Sequence, residues 1–166
     1  EICACLVGSE MCIRDRKMTE LGVYRIVPVS MKRSVVKLDK KKADSKVKRW
    51  NMISESAAKQ SKRSIIPEIM PVCTFNEALE MSQQLDVKLL PYECADGMAK
   101  TKKIIENLKG NESIGIFIGP EGGYDLDELS KAKEEGWEEI TLGKRILRTE
   151  TAGMMLMSVL MYMNEK

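Results

Sequence analysis

Two short segments in the last third of the sequence carry residue types that could bind a ligand and act on it. Ile118–Gly123 reads Ile-Gly-Pro-Glu-Gly-Gly, and Leu142–Ala152 contains Arg145, Arg148 and Glu150. Each segment looks like the end of a buried strand that runs into a loop and then into a helix. Ligands bind at such strand-to-loop junctions in open α/β sheets. We therefore predict one cofactor pocket built from both segments.

The first segment is rich in glycine. Gly119 allows the backbone to approach a ligand closely, and Gly122 and Gly123 leave their amides free to point inward. The chain has neither the GxxxxGK[ST] nor the GxGxxG pattern of phosphate-binding loops. Adenosine is therefore favoured over a phosphate as the ligand. A tight turn between a strand and a helix is the structural alternative.

Charged side chains belong to both segments. Glu121 lies between glycines in an apolar setting and needs a partner, which Arg33 or Arg148 could supply in a bidentate geometry. Arg148 and Glu150 lie where the last helix begins, and a helix N-terminus favours nearby negative charge. We interpret Arg145 as a surface residue, whereas the apolar neighbours of Arg148 favour a functional role.

Strand patterns alternate with helix patterns, which predicts a parallel sheet covered by helices on both sides. The predicted strands are 24–29, 65–69, 87–92, 113–118 and 139–142, and the predicted helices are 17–21, 43–61, 74–84, 99–108, 125–135 and 150–163. Thr74–Glu77 and Asp125–Glu128 have the pattern of capping boxes, and Thr149 is the predicted cap of the last helix. That helix is apolar nearly all round, which predicts burial both in the core and in a dimer interface.

The composition excludes several classes of chemistry. The 166 residues fit one domain and include no histidine, which excludes Ser-His-Asp and Cys-His catalysis and removes the commonest metal ligand. The five cysteines form no CxxC pair, so we expect free thiols in a reducing cytoplasm and no metal site. No run of 18 apolar residues is present, and no membrane span is expected. Residues 1–16 show no sustained periodicity, and we expect a foreign or disordered segment there.

Charge is unevenly distributed along the chain. Residues 31–63 contain 12 Lys/Arg against 3 Asp/Glu, whereas residues 111–166 contain 6 against 11. A basic region of this density could follow an RNA phosphate backbone. The alternative is a solvated helix face.

Taken together, the two segments resemble the SPOUT methyltransferase superfamily. More narrowly, they resemble the bacterial family that methylates N3 of a uridine in small-subunit (16S) ribosomal RNA. The resemblance extends over residues 17–163, and several motifs in the same order argue against chance similarity. The upstream motifs are Lys17–Val23, Arg33–Lys37, Glu55–Ser61 with Arg63, Pro67 and Glu68, and Leu89–Glu93.

The resemblance implies an α/β fold, with a parallel sheet flanked by helices and a C-terminal trefoil knot, formed by a domain at 17–166. It implies S-adenosyl-L-methionine as the cofactor, small-subunit ribosomal RNA as the partner, and a cytoplasmic homodimer. Family members begin with a small β-barrel RNA-binding domain, and we expect this chain to be the catalytic domain without it, with residues 1–16 at the junction. The implied cofactor-binding residues are Leu90, Tyr92, Gly119, Gly122, Leu142, Gly143, Ile146 and Leu147.

Four charged residues form the predicted catalytic set. N3 of uridine carries a proton at neutral pH, and this proton must leave before or during methyl transfer. Arg33 or Arg148 would stabilise the uracil anion, and Glu121 or Glu150 would orient the arginine or act as the base. The alternatives are a SPOUT enzyme that methylates a tRNA ribose 2′-oxygen and an RNA-binding fragment without catalysis. The Arg-Thr-Glu-Thr run at 148–151 argues against the ribose enzyme, in which Ser-Leu-Asn is usual.

Overall fold

One parallel sheet organises the chain. The computed structural model describes residues 2–6, 11–34, 39–93 and 97–164. Within them the elements in chain order are β1 (Ile2–Leu6), α1 (Met11–Glu20), β2 (Arg25–Ser30), α2 (Lys40–Gln60), β3 (Glu68–Ile69), β4 (Cys73–Thr74), α3 (Phe75–Met81), β5 (Val87–Pro91), α4 (Met98–Glu106), β6 (Ile114–Ile118), α5 (Leu126–Glu134), β7 (Glu138–Ile140) and α6 (Thr149–Asn164). The strands lie in the order β3-β2-β1-β6-β5-β7, β4 also pairs with β2, and all pairings are parallel. The predicted parallel sheet flanked by helices is confirmed.

Residues 1–16 differ most from the sequence prediction. Ile2–Leu6 form β1, which lies between β2 and β6 in the middle of the sheet. Met11–Glu20 form α1, which packs against α2 and α6. The expectation of disorder is therefore wrong for the strand and the helix, while residues 1 and 7–10 lie outside the described residues. The missed signal is the unbroken apolar run of Ile2–Leu6, which suits a strand covered on both faces.

The side chains of β6 show how both faces of the sheet are covered. Ile114, Ile116 and Ile118 lie in one core cluster with residues of α1, α2 and α6, whereas Phe117 lies in a second cluster with residues of α3 and α5. Successive side chains of a strand point to opposite faces. All five residues of β6 are buried, so helices must cover both faces.

Helix α6 begins one residue earlier than predicted. The amide of Ala152 donates to the carbonyl oxygen of Arg148 at 2.8 Å, so Arg148 rather than Thr149 takes the N-cap position. The inner face of α6 is fully buried, through Leu156, Met157 and Leu160. This packing confirms the predicted role of α6 in the core and fixes Arg148 where the loop from β7 meets the helix.

The two predicted capping boxes have different outcomes. At α3, the Thr74 hydroxyl accepts the Glu77 amide at 3.3 Å and the Glu77 carboxylate accepts the Thr74 amide at 2.7 Å, which confirms the box. At α5, Asp125 caps the helix through its side chain, but the carboxylate of Glu128 accepts the Lys32 amide at 3.0 Å. The second box is therefore wrong, because Glu128 bonds to the loop after β2 rather than to its own cap.

Candidate functional site

A cavity of about 830 Å³ opens at the carboxyl ends of the strands. It is lined by the loops that follow β2, β5, β6 and β7 and by the first turn of α6. This volume is typical of a small-molecule site. Of the twelve residues predicted for the site, all but Leu90 line this cavity: Arg33, Tyr92, Gly119, Glu121, Gly122, Leu142, Gly143, Ile146, Leu147, Arg148 and Glu150.

Leu90 lies below the cavity rather than in its lining. Its side chain is fully buried in the second core cluster together with Phe117. Its position in β5 is opposite Glu139 of β7. Leu90 therefore belongs to the packed sheet that supports the site, and Tyr92, two residues later, is the first predicted residue of this strand end to reach the cavity.

Gly119 has a structural reason to be glycine. A Cβ atom there would lie 2.9 Å from the ring of Tyr124, which is only 7 % exposed. The Tyr124 hydroxyl donates to the carbonyl oxygen of Phe117 at 2.6 Å, so the ring is fixed under the loop. The amide of Gly123, at φ +72°, donates to the carbonyl oxygen of Pro120 and closes the turn, so the expectation that this amide is free is wrong. The tight turn and the ligand-facing loop are thus the same structure.

Gly122 brings the loop after β2 against the loop after β6. A Cβ atom on Gly122 would lie 3.0 Å from the carbonyl oxygen of Arg33. This close approach is possible because glycine has no side chain. It places Arg33, which is distant in sequence, at the rim of the cavity.

Ionic contacts hold the same two segments together. The ammonium of Lys32 donates to carboxylate oxygens of Asp125 and Asp127, each at 2.8 Å. This contact with Lys32 holds the pKa of Asp125 below its usual range, and the two carboxylates raise the pKa of Lys32. Sequence reasoning did not find this contact, because nothing in the spacing joins residues more than 90 positions apart.

The loop after β7 is held by neutral hydrogen bonds. The Thr101 hydroxyl on α4 donates to the carbonyl oxygen of Thr141 at 2.9 Å and accepts the Thr141 amide at 3.2 Å. Both threonines are buried, at 2 % and 8 % exposure. Gly143 follows with φ +119°, a conformation that favours glycine. These two threonines were missed by the sequence analysis, since a single threonine on a helix carries no signal.

The charged residues of the cavity are mostly in contact with solvent. Glu121, Arg33 and Arg148 are exposed. Among the described residues no ion pair joins Glu121 to either arginine, so the predicted bidentate pair is wrong. The reason is that Glu121 lies in water rather than in an apolar setting, and an exposed carboxylate needs no partner. Glu150 is half-buried, and its carboxylate accepts the Thr149 hydroxyl at 3.1 Å.

The aromatic rings of Tyr92 and Tyr124 form the floor of the cavity, and Phe117 and Trp137 are buried in the core cluster against which they pack. Tyr92 and Tyr124 meet edge to face with ring centres 6.0 Å apart, and Phe117 lies 6.3 Å from Tyr124 and 5.4 Å from Trp137. The pairs Tyr92–Tyr124 and Phe117–Trp137 have the edge-to-face geometry that aromatic pairs favour, whereas Phe117 and Tyr124 are tilted by 53°. The floor is therefore rigid and apolar, while the rim offers backbone groups and both signs of charge, a combination suited to a nucleoside with a charged tail.

Two negative findings hold for the part of the chain that the structure describes. No group of three or more Cys, Asp or Glu side chains is arranged to hold a metal ion. No described helix is both long enough and apolar enough to cross a membrane.

Known proteins are similar to this chain over nearly its whole length. A family profile described as an RNA methyltransferase domain matches residues 2–161. The ribosomal RNA small subunit methyltransferase E of Bacillus subtilis is 38 % identical over 153 residues, which cover 90 % of this chain and 60 % of that protein. The protein of the same name in Mesomycoplasma hyopneumoniae is 37 % identical and covers 86 % of this chain and 60 % of its own length. The chain thus spans about 60 % of the length of these curated relatives.

Solved structures show the same fold. A ribosomal RNA small subunit methyltransferase E from Neisseria gonorrhoeae, bound to S-adenosyl methionine, superposes with a TM-score of 0.79 at 31 % identity and covers 95 % of this chain and 63 % of its own. A methyltransferase from Legionella pneumophila, in complex with the bound cofactor SAM, gives a TM-score of 0.86 at 29 % identity and covers 96 % of this chain and 65 % of its own.

Proposed function

Since the chain belongs to the RNA methyltransferase domain family, we propose that its cavity binds S-adenosyl-L-methionine and that the chain methylates N3 of a uridine in small-subunit ribosomal RNA. The observation that carries this proposal is the convergence of eleven predicted residues, from four separate loops, on one cavity. Relatives named for small-subunit ribosomal RNA methylation cover nine-tenths of the chain, in agreement with this substrate.

The residues present fit this cofactor. The close approach at Gly119, the turn at Gly143 and the aromatic floor leave room for backbone groups to contact adenine and ribose. We assign the cofactor contacts to the predicted residues that line the cavity: Tyr92, Gly119, Gly122, Leu142, Gly143, Ile146 and Leu147. The rim supplies Glu121 and Glu150 for the positive charge of the bound molecule.

The chemistry follows from the charges at the rim. When bound, the cofactor supplies a methyl group on a positively charged sulfur. Arg33 or Arg148 stabilises the negative charge on the uracil oxygens as N3 loses its proton. Glu121 or Glu150 accepts that proton, because an arginine stays protonated and cannot act as a base. Alignment of the two reactants accounts for much of the rate of such an in-line transfer.

The RNA partner is assigned to the surface of α2. Lys41, Lys48 and Arg49 are exposed, and within the described residues they form no ion pair. They belong to the helix that follows the loop carrying Arg33 along the chain, which supports their assignment to an RNA strand whose base enters the cavity. Cations in this arrangement bind phosphates and make affinity depend on salt.

A homodimer is assigned to the outer face of α6. Met155 and Tyr162 are 37 % and 80 % exposed and lie on one face of the helix, and Ile146 at the cavity rim is 81 % exposed. Exposed apolar residues of this kind suit a second copy of the chain. A Tyr162→Lys variant that sediments like the wild type would contradict this assignment. The proposed ribosomal RNA substrate supports a cytoplasmic location, which is part of the same proposal.

The C-terminal trefoil knot is also part of the proposal. β7 lies at one edge of the sheet, whereas α6 packs on the face that carries α1 and contacts β6. This placement supports a return of the chain past the loop after β6, and both loops line the same cavity. An experimental chain trace with residues 141–164 outside every preceding loop would contradict the knot.

The activity is tested with the purified chain and small ribosomal subunits. We expect transfer of a labelled methyl group from S-adenosyl-L-methionine to the RNA, with 3-methyluridine as the product after nuclease digestion. Free RNA is the comparison substrate. RNA binding that is unaffected by the cofactor, without any methylation, would instead identify a binding module. A methylated ribose would identify the other SPOUT activity.

A further inference from the structure

The loop after β2 is fastened to the segment that joins β6 to α5. We propose that Glu128 is a positioning residue, which holds Arg33 over the cavity through the backbone of Lys32. This proposal rests on the function proposed above, because it matters only if Arg33 acts in methyl transfer. It gives a role to the one capping-box glutamate that does not bond to its own cap.

The backbone around Arg33 is held on both sides. Met31, only 3 % exposed, anchors the start of a turn that closes when the Ser34 amide donates to the Met31 carbonyl oxygen at 3.2 Å. The Met31 amide donates to the Ser34 hydroxyl at 3.1 Å. Inside this turn the Lys32 amide donates to Oε1 of Glu128 at 3.0 Å. The buried carboxylate of Glu128 therefore fixes the backbone amide of Lys32, the residue directly before Arg33.

Glu128 is buried in a manner that the helix alone does not explain. The residue is 5 % exposed, and its second oxygen, Oε2, is buried without a hydrogen-bond partner among the described residues. A buried carboxylate oxygen without a partner is unfavourable. A return bond to the cap would have satisfied the side chain locally. The bond to Lys32 instead joins two loops of the cavity.

Two more contacts connect the loop after β2 to the segment that joins β6 to α5. The backbone of Gly122 approaches Arg33 so closely that a Cβ atom on Gly122 would lie 3.0 Å from the carbonyl oxygen of Arg33, and the Lys32 ammonium bridges Asp125 and Asp127. All three contacts come from one continuous stretch, from the glycine loop to the first turn of α5. Arg33 and the glycine loop must therefore keep a fixed distance, as a reacting base and its methyl donor require.

The experiment compares Glu128→Leu with Glu128→Gln, whose amide oxygen can still accept the Lys32 amide. Glu134→Gln, on the exposed side of α5, is the control. We expect Glu128→Leu to reduce the backbone order of residues 32–34 in ¹⁵N relaxation and to lower kcat by about 100-fold, with little change in KM for S-adenosyl-L-methionine. Glu128→Gln should restore most of both. Added to Arg33→Ala, the Glu128→Leu change should cause no further loss.

A second pair of variants tests the same bond from the donor side, should Glu128→Leu fail to fold. Lys32→Pro removes the amide donor at a turn position that suits proline, whereas Lys32→Ala keeps the amide and removes the ammonium. We expect only Lys32→Pro to resemble Glu128→Leu.

Equal effects of the two Lys32 variants would overturn the proposal. Unchanged order at residues 32–34 in the Glu128→Leu variant, or losses that add to those of Arg33→Ala, would overturn it too. If the wild-type chain methylates nothing, the proposed function fails, and the relaxation data still decide whether Glu128 holds the turn.

Discussion

The two walls of the cavity are held in place by different forces. The wall that carries Arg33 is fastened by a carboxylate on a backbone amide and by an ammonium between two aspartates. The wall that carries Arg148 is fastened by the hydroxyl of Thr101, which is buried with its partner. The first wall therefore depends on pH and salt, whereas the second depends on buried neutral hydrogen bonds.

This difference suits the two ligands that we propose. The wall that is held by neutral hydrogen bonds contains the turn at Gly143 and the half-buried Leu142 and Leu147, which suit a cofactor that must be enclosed. The charged wall leads to the exposed cations of α2, which suit an RNA strand that arrives from solvent. Substitutions that alter one wall without the other test this difference.

The largest effect is expected for Arg148→Ala. Loss of a cation that stabilises the uracil anion should reduce turnover by about 10²–10³-fold, while the affinity for S-adenosyl-L-methionine stays nearly unchanged. Methyl-transfer kinetics and calorimetry measure the two quantities. Arg145→Ala, in the same exposed loop, is the control and should retain turnover. If cofactor affinity fell as steeply as turnover, Arg148 would be a binding residue.

A smaller effect is expected for Thr101→Val, which leaves the buried amide and carbonyl of Thr141 without their partner. An unpaired buried polar group costs about 1–3 kcal/mol, so the free energy of unfolding should fall by this order. The affinity for S-adenosyl-L-methionine should fall with it, by about tenfold for each 1.4 kcal/mol of stability that the loop after β7 loses. Thr101→Ser keeps the hydroxyl and should restore both. A stable Thr101→Val protein with full affinity would contradict the role given to this wall.

The smallest effect is expected for Asp125→Asn, which keeps a good helix cap and removes one charge. The contact with Lys32 lowers the pKa of Asp125, so its stabilisation is complete above about pH 4 and is lost as the pH falls further. The wild type should therefore be more stable than the variant at pH 7, and the difference should shrink below pH 4. Chemical denaturation across this range measures it. A difference that does not vary with pH would show that the ionic contact is not its cause.

Local sequence patterns were enough to predict most elements of the fold. The apolar run of β6, the capping box of α3 and the glycine stop after α5 each depend on neighbouring residues, and each was predicted near its observed place. β1 was missed because its short run of Ile, Cys, Ala and Leu was interpreted together with the rest of residues 1–16, which show no sustained periodicity.

Long-range contacts account for what the sequence could not provide. Glu128 has the local pattern of a capping box, and only the folded sheet shows that its partner is the Lys32 amide, 96 residues away. Glu121 was given an arginine partner because its exposure could not be deduced from the glycines beside it. The walls of the cavity were predictable from motifs, whereas the bonds that hold them were not.

The most direct measurement is hydrogen–deuterium exchange of the chain with and without S-adenosyl-L-methionine. A cofactor enclosed between the two walls should slow exchange in the loop at 119–124 and in the loop at 141–148, and leave the exposed residues of α2 unchanged. Slower exchange that is confined to other segments, or no change at saturating cofactor, would contradict the assignment of this cavity as the cofactor site.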